Sequence, residues 1–420
     1  MQTLFGTVLQ PRTIHDCQVI HGAAVTIGDD GRIASVQPSA SQPAQSIGGP
    51  DCWVLPGFVD AHLHMPQWDR RGIDGLTLDD WQAHVGYPAE ARMRDRRAAE
   101  ALAEQFVSGL FAMGTTTVAA FGSPFADEVE STFQVFARRS LRAIYGQMLN
   151  DTDIPDEIRQ STDQALDQSR LLAAKWHGAQ NGRLRYAFSP RTSVRCSEKL
   201  MRGSAALADM LGCHLQTHVA ETYEELAAVR ERFPEQVDEI DLFNELGLLT
   251  PRTLLAHGLF LNHHQRKQVA QKQTSLVHCP TANLFRESGL MDYVAHRSAG
   301  IRIALGSSVA GGPDPFMPRV AAECLQTAKA IKVHTLPRSS VQVPLPAEAW
   351  WMLTRGGAEA LGMADRIGAI EPGMEADCLL VRPEKWIADL PAEQQVSALL
   401  YTLSPGQIEH VFVAGKRVKG

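Results

Sequence analysis

The sequence predicts an α/β protein, a (β/α)8 barrel of the TIM type with a small β-sandwich-like domain formed by the N- and C-terminal segments. Eight short apolar β-runs lie between residues 53 and 310, with amphipathic helical stretches between them. Eight is the number of strands in a closed parallel barrel of this type. Both ends of the chain instead alternate β-rich pieces with turn residues. We therefore expect residues 1–53 and 371–420 to form the small domain and residues 54–370 the barrel.

The β-runs of the barrel are short and largely apolar. In chain order they are VLPGFVDAHLH, TTTVAAFG, RAIYGQML, LRYAFSPRT, CHLQTHVAE, TLLAHGLF, TSLVHCPTAN and IRIALGSS. Helical patterns between them are RRAAEALAEQFVSGLFAMG, STDQALDQSRLLAAKW and SEKLMRGSAALADMLG. Because a parallel barrel carries its active site at the carboxyl ends of its strands, we expect functional residues at the last positions of the runs.

The terminal segments predict a small sheet. Asp and Gly tolerate the positive φ of a tight turn, so Gly28, Asp29, Asp30 and Gly31 indicate a hairpin. After residue 370 the β-pattern returns in GMEADCLLVRP and IEHVFVAGKRVKG. We expect these pieces to pair with the N-terminal strands.

Composition favours small-molecule chemistry. The chain has 420 residues and a net charge of -7, which argues against nucleic-acid or anionic-membrane binding because both need clustered Lys and Arg. The seven cysteines contain no CxxC pair, so neither a disulfide scaffold nor a thiolate zinc site is indicated. No apolar run reaches the ~18 residues of a membrane helix, and the N-terminus lacks a signal-peptide pattern. We expect a cytoplasmic protein.

Histidines at strand ends predict a metal site. His62 and His64 are two residues apart, so on a strand both imidazoles lie on one face. His218 ends the fifth run and supplies a third imidazole, and neutral imidazoles suit Zn²⁺. Two neighbouring histidines could also arise by chance, and any of them could be a core residue bonded to a backbone carbonyl. Their shared position at strand ends favours the metal site.

Two further polar residues follow the same pattern. Glu221 lies three residues after His218, where a carboxylate could exchange a proton with a metal-bound water. His257 ends the sixth run and could polarise or orient that water. The sequence therefore predicts metal-assisted hydrolysis with a carboxyl group as general acid and base.

The motifs LPGFVDAHLH, THVAE, LLAHG, HCPTANLFRESG and GMEADCLLV with VFVAGKRV resemble those of the metal-dependent amidohydrolase superfamily. HLHMPQ, WQAHVGYPAEAR, SPRTSVRCSEKLM and CPTANLFRESGL further resemble guanine deaminases within it. The resemblance spans nearly the whole chain. It implies a purine-like substrate, one Zn²⁺ or another divalent transition metal per chain, and a homodimer.

The resemblance also implies roles for individual residues. His62, His64 and His218 would be metal ligands, Glu221 the proton shuttle, and His257 a water-orienting residue. Each of these positions matches the superfamily motifs residue by residue.

Substrate contacts follow from the guanine deaminase motifs. Gln67 would hydrogen-bond the purine edge and Arg191 the purine carbonyl, which suits an amide that donates and accepts and a guanidinium that only donates. Alternatively, Gln67 is a surface loop residue and Arg191 part of a structural ion pair. Thr192 stands where the family usually has an aromatic residue. The stacking surface for a purine is therefore weaker or supplied elsewhere.

Ser308 is the main departure from the family pattern. The eighth strand of the family ends GTDVAGG, and its aspartate ligates the metal and accepts a proton from the nucleophilic water. Here the corresponding sequence is GSSVAGG, with Ser308 in the position of the aspartate. Three imidazoles can still hold zinc, but a hydroxyl is too weak a base, and general-base assistance is worth roughly 10²–10⁴-fold in rate.

The sequence thus predicts zinc-dependent hydrolytic deamination of a purine-like heterocycle, with guanine to xanthine and ammonia as the first candidate and Ser308 limiting activity. A second reading is a catalytically silent ligand-binding homologue with the same pocket. A third is a deaminase or iminohydrolase of another heterocycle or of a formimino compound, in which Arg191 binds a substrate carboxylate.

Overall fold

A computed structural model describes residues 1–335 and 343–420. Its strands are β1 (Gln2–Thr13), β2 (Asp16–Ile27), β3 (Ile33–Pro38), β4 (Ile47–Pro56), β5 (Phe58–His64), β6 (Thr115–Phe121), β7 (Arg142–Gly146), β8 (Met148–Leu149), β9 (Leu184–Pro190), β10 (His214–Val219), β11 (Thr253–His257), β12 (Ser275–His278), β13 (Arg302–Leu305), β14 (Cys378–Val381), β15 (Ile408–Val413) and β16 (Lys416–Lys419).

The helices lie between the barrel strands and after them. They are α1 (Leu78–Trp81), α2 (Tyr87–Ala91), α3 (Arg96–Ala112), α4 (Ala126–Arg139), α5 (Thr162–Trp176), α6 (Ala179–Gly182), α7 (Glu198–Leu211), α8 (Tyr223–Arg232), α9 (Glu239–Glu245), α10 (His263–Gln271), α11 (Pro280–Phe285), α12 (Tyr293–Ser298), α13 (Met317–Thr335), α14 (Pro346–Leu353), α15 (Arg355–Ala360) and α16 (Ala392–Thr402). Over the described residues, no helix combines the length and apolarity needed to span a membrane.

The barrel strands are parallel and follow the order β5-β6-β7-β9-β10-β11-β12-β13. Each of the eight predicted β-runs contains one of these strands, so the predicted barrel is confirmed. The first run is divided, because its residues 54–56 belong to β4 of the terminal sheet and β5 begins at Phe58. The run RAIYGQML is divided, because β7 ends at Gly146 and the short β8 pairs with β9. The three predicted helices are α3, α5 and α7, and α7 ends at Gly212, whose φ of 66° is the left-handed conformation of a helix cap.

The barrel closes between β5 and the segment that follows β13. Ser308 donates its backbone N–H to the carbonyl of His62 at 2.8 Å, and His64 donates its N–H to the carbonyl of Val309 at 2.7 Å. These two hydrogen bonds join the first barrel strand to the end of the last. They also bring Ser308 next to His62 and His64, although these histidines lie more than 240 residues earlier in the sequence.

The terminal segments form one seven-stranded sheet, in the order β16-β15-β14-β4-β1-β2-β3. Antiparallel pairing of β14 with β4 joins the C-terminal part to the N-terminal part, as expected. The hairpin between β2 and β3 turns at Gly31, whose φ is 78°. A Cβ atom there would lie 2.2 Å from the carbonyl oxygen of Ala414, so the close approach of β15 requires glycine as well.

A buried ion pair joins this sheet to the barrel. Arg142, the first residue of β7, has a fully buried side chain. Its Nε lies 2.8 Å from Asp377 Oδ2, and its Nη2 lies 2.6 Å from Glu375 Oε2. Because both acids directly precede β14, the guanidinium fixes the C-terminal strands against the start of a barrel strand.

We predict that Arg142→Met lowers the free energy of unfolding by about 3–5 kcal/mol, because it leaves the buried Asp377 carboxylate without its cation, whereas Glu375 keeps its ion pair with Arg366. Urea or thermal unfolding measures the change. Arg138→Met is the matched control, since Arg138 pairs with Glu100 and Glu104 at the surface, where such pairs contribute about 1 kcal/mol or less. Equal effects of the two substitutions would contradict the structural role of Arg142.

Candidate active site

Four imidazoles meet at the carboxyl ends of the barrel strands. His62 and His64 come from β5, His218 from β10 and His257 from β11. Ring nitrogens of His62, His218 and His257 lie within 4.8 Å of one another. His64 Nε2 lies 3.2 Å from His218 Nε2. All four residues predicted from strand ends are therefore buried in one cluster.

Two of these imidazoles have buried nitrogens without a partner. Over the described residues, neither His62 Nε2 nor His64 Nδ1 has a hydrogen bond. Buried polar atoms are normally satisfied, because leaving one unpaired costs free energy. An unpaired nitrogen within a group of imidazoles fits a metal ion better than it fits a packed core.

The other two imidazoles are held in one orientation. His218 Nδ1 lies 2.7 Å from the backbone carbonyl of Arg191, and His257 Nδ1 lies 2.8 Å from Asn283 Oδ1. A carbonyl or amide oxygen accepts the Nδ1 proton, which leaves the Nε2 lone pair free for another ligand. This arrangement is typical of metal-binding or water-binding histidines.

The charge state of the cluster also suits a cation. Burial and the neighbouring imidazole of His257 lower the pKa of His218 to about 3, and burial lowers the pKa of His257 to about 4 although Asn283 and Glu225 act in the opposite direction. The pKa values of His62 and His64 are lowered well below the usual range for the same reasons. A histidine must be neutral to bind a metal ion, and the lowered pKa values keep these imidazoles neutral at neutral pH.

Glu221 and Ser308 face the same cavity as the imidazoles of His64, His218 and His257. Glu221 Oε2 lies 3.6 Å from His257 Nε2, and burial raises the pKa of Glu221 to about 8. A carboxyl group with such a pKa holds a proton at neutral pH and can donate it. Ser308 is 5% exposed and brings a hydroxyl to the cavity instead of a carboxylate.

Gln67 and Arg191 lie on another wall of this cavity. Both are buried, and both bind Glu90: Gln67 Nε2 donates to Glu90 Oε1 at 3.1 Å, and Arg191 Nη2 donates to Glu90 Oε2. Arg191 Nε also donates to Asn150 Oδ1 at 3.2 Å. Arg191 is thus held in an ion pair, as the alternative reading expected, and lines the cavity at the same time.

Aromatic side chains come from a different part of the chain than the family pattern suggested. Thr192 lines the cavity, and its hydroxyl accepts the N–H of Arg195 in a local turn. The buried rings of Trp81 and Tyr87, from α1 and α2, line the cavity instead. The cavity holds about 120 Å³. A guanidinium lies over each ring, that of Arg286 at 4.9 Å from the Trp81 ring centroid and that of Arg191 at 5.3 Å from the Tyr87 ring centroid.

Sequence reasoning did not single out Glu90, Asn150 or Asn283. Glu90 lies in the quoted motif WQAHVGYPAEAR and Asn283 in HCPTAN, so both were within stretches already linked to the site. Their partners lie 101 and 26 residues away in the chain. The position of Glu90 and Asn283 inside these motifs was a signal that they belong to the site. Their hydrogen-bond partners could not be predicted from the spacing of residues in the sequence.

The sequence profile of the Amidohydrolase family matches residues 53–418. The chain belongs to this family, and the resemblance inferred from its motifs is confirmed. It is accordingly an enzyme that hydrolyses carbon–nitrogen bonds.

Several deaminases are similar to this chain in sequence or structure. A probable guanine deaminase of Deinococcus radiodurans is 32% identical over 431 residues, covering 98% of this chain and 96% of the relative. The crystal structure of guanine deaminase from Bradyrhizobium japonicum superposes with a TM-score of 0.90 at 26% identity, covering 99% of both chains. An adenosine deaminase from Xanthomonas campestris with bound zinc has a TM-score of 0.86 at 26% identity, covering 99% of this chain and 92% of that one.

We predict that zinc stabilises the protein through the imidazole cluster. His218→Ala should reduce bound zinc from about one per chain, and a chelator should lower the Tm of the unsubstituted protein but not that of the variant, since a ligand of the folded state raises stability. Elemental analysis and thermal unfolding measure both effects. His263→Ala, on the exposed start of α10, is the control and should keep its zinc.

Proposed function

We propose that this enzyme is a zinc-dependent deaminase of a purine-like heterocycle, and that it converts guanine to xanthine and ammonia. One observation carries the proposal: Glu221 and three imidazoles of the cluster share a cavity with Gln67 and Arg191. These imidazoles are His64, His218 and His257. The first group offers hydrolytic chemistry, and the second offers donors and acceptors for a heterocycle edge. The guanine deaminases of similar sequence and structure support guanine as the substrate.

The imidazoles fit a zinc ion. His62, His64 and His218 would hold it, and when bound it supplies a Lewis acid for the hydrolysis. His257 lies beside them, and its Nδ1 bond to Asn283 directs its Nε2 toward the cavity. We assign to His257 the orientation of the attacking water.

Glu221 would act as the general acid. In the reaction, a bond forms between the water oxygen and the ring carbon that bears the amino group, and the carbon–nitrogen bond to that amino group breaks. Glu221 gives its proton to the adjacent ring nitrogen. The attacking water loses both of its protons: one returns to the Glu221 carboxylate, and the other passes to the amine, which leaves as ammonia while the oxygen stays as the new carbonyl. The raised pKa of Glu221 supports this role, because a donor must still hold its proton at neutral pH.

Gln67 and Arg191 would hold the lactam edge of the purine. The guanidinium donates to a carbonyl oxygen, while the amide of Gln67 can accept from a ring N–H. Trp81 and Tyr87 would supply the stacking surface that Thr192 does not provide. Flat apolar contact and directed hydrogen bonds together are typical of heterocycle sites.

Ser308 supports a second candidate, a homologue that binds the purine without turnover. No carboxylate stands at this position to take the proton of the attacking water. The candidate therefore predicts zinc and purine binding without ammonia release. Measuring binding and ammonia release on the same preparation separates the two functions.

We predict that Ser308→Asp raises the rate of ammonia release from guanine by about 10²–10⁴-fold, because it restores a general base. Ser308→Asn is the matched control, since it has the same size as Asp but cannot accept a proton. Zinc content is measured in all three proteins. If the Asp variant holds zinc and still releases no ammonia from guanine, the guanine proposal is wrong.

We also predict that Glu221→Gln lowers the rate of the Ser308→Asp variant by about 10²–10⁴-fold without loss of zinc, since an amide cannot donate the proton in question. Coupled detection of ammonia and elemental analysis give the two readouts. Glu231→Gln, at an exposed position of α8, should leave both unchanged. Loss of zinc in the Glu221→Gln variant would indicate a ligand instead of an acid.

A further inference from the structure

Glu90 is a buried carboxylate that binds both proposed substrate-contact residues. It lies in α2, is 1% exposed, and is not itself among the residues that line the cavity. Its Oε1 accepts from Gln67 and its Oε2 accepts from Arg191. One side chain therefore determines how two cavity residues present their hydrogen-bonding groups.

For Gln67 the consequence is a fixed amide orientation. A carboxylate paired with a guanidinium can only accept hydrogen bonds, so Gln67 must direct its NH₂ group toward Glu90. The amide oxygen then points away from Glu90. No hydrogen bond to Gln67 Oε1 occurs within the described residues, and Gln67 lines the cavity. The oxygen is thus available to accept a hydrogen bond from a ligand.

For Arg191 the consequence is a directed donor. Nη2 donates to Glu90 and Nε to Asn150, which fixes the plane of the guanidinium. Nη1 donates to none of the residues 1–335 and 343–420 and is not among the buried unpaired atoms. It is therefore the donor that Arg191 offers to a ligand in the cavity.

We propose that Glu90 is a positioning residue that fixes the hydrogen-bond polarity of the cavity and thereby selects 6-oxopurines over 6-aminopurines. This inference rests on the proposed function. The acceptor of Gln67 and the donor of Arg191 match a ring N–H next to a carbonyl. A 6-aminopurine in the same orientation presents an amine to the guanidinium and a ring lone pair to the amide oxygen. A donor would then face a donor, and an acceptor would face an acceptor.

Glu90 also balances the charge of the wall. Arg191 is buried, and an unpaired guanidinium there would be costly and would repel a bound cation. The backbone carbonyl of Arg191 holds His218 Nδ1 at 2.7 Å, so a shift of this residue would reach the imidazole cluster. Loss of Glu90 should therefore change ligand preference and weaken binding together.

The test is equilibrium binding of hypoxanthine and adenine, measured by calorimetry on the zinc-loaded protein. Neither ligand carries an amine at the carbon that bears it in guanine. In Glu90→Gln the new amide can donate to Gln67, which can then turn its NH₂ toward the cavity. We expect the preference for hypoxanthine over adenine to fall by about tenfold or more, the effect of one exchanged hydrogen bond.

Glu348→Gln is the matched control, because Glu348 is a buried partner of Arg297 outside the cavity. It should keep the preference. Glu90→Asp retains an acceptor-only carboxylate with a shorter reach, and we expect weaker binding with the preference for hypoxanthine retained. It also provides the test if Glu90→Gln does not fold.

An equal loss of affinity for both purines in Glu90→Gln would overturn the proposal, since it would indicate a structural role alone. An unchanged preference would overturn it as well. Failure of the proposed function gives a different result: the unsubstituted protein and Ser308→Asp bind hypoxanthine, yet neither releases ammonia from guanine. Binding of neither purine by the unsubstituted protein would contradict both proposals.

Discussion

The site depends on one buried contact at the barrel seam. Asp60, in β5, accepts hydrogen bonds from the N–H of Ser307 at 2.9 Å and from its hydroxyl at 2.5 Å. It also accepts the N–H of His62 at 3.3 Å. This carboxyl group thus adds its hydrogen bonds to the two backbone hydrogen bonds that join β5 to the segment after β13. Without this seam the sheet would be open, and the imidazoles of β5 would not be held beside Ser308.

The two halves of the proposed chemistry rest on different kinds of structure. The imidazoles are on strands, whose positions the backbone ladders of the barrel fix. Gln67, Trp81, Tyr87 and Glu90 come from the segment between β5 and α3, which the barrel supports but does not include. Loops on a rigid scaffold commonly carry specificity, because they can change without loss of the fold. In this protein the buried ion pair of Glu90 gives part of that segment a fixed geometry.

The backbone of Ser308 contributes to barrel closure, whereas its side chain faces the cavity. Its backbone N–H donates to the carbonyl of His62, and its carbonyl accepts the N–H of Gly312 at 2.7 Å. Neither bond involves the side chain, so barrel closure does not require an aspartate here. A substitution at this position can therefore change the reaction while the cavity, the imidazoles and Glu221 stay in place. This explains why the family fold is intact around an atypical residue.

The sequence alone determined the eight barrel strands, the terminal sheet and the histidine cluster, because strand periodicity is local and parallel strand ends must converge. It did not reveal that Glu90 joins Gln67 to Arg191, across 23 and 101 residues of chain. Nor did it reveal that Trp81 supplies an aromatic surface where Thr192 does not. Such contacts form between loops, whose packing follows from the whole tertiary structure and leaves no periodic signal in the sequence.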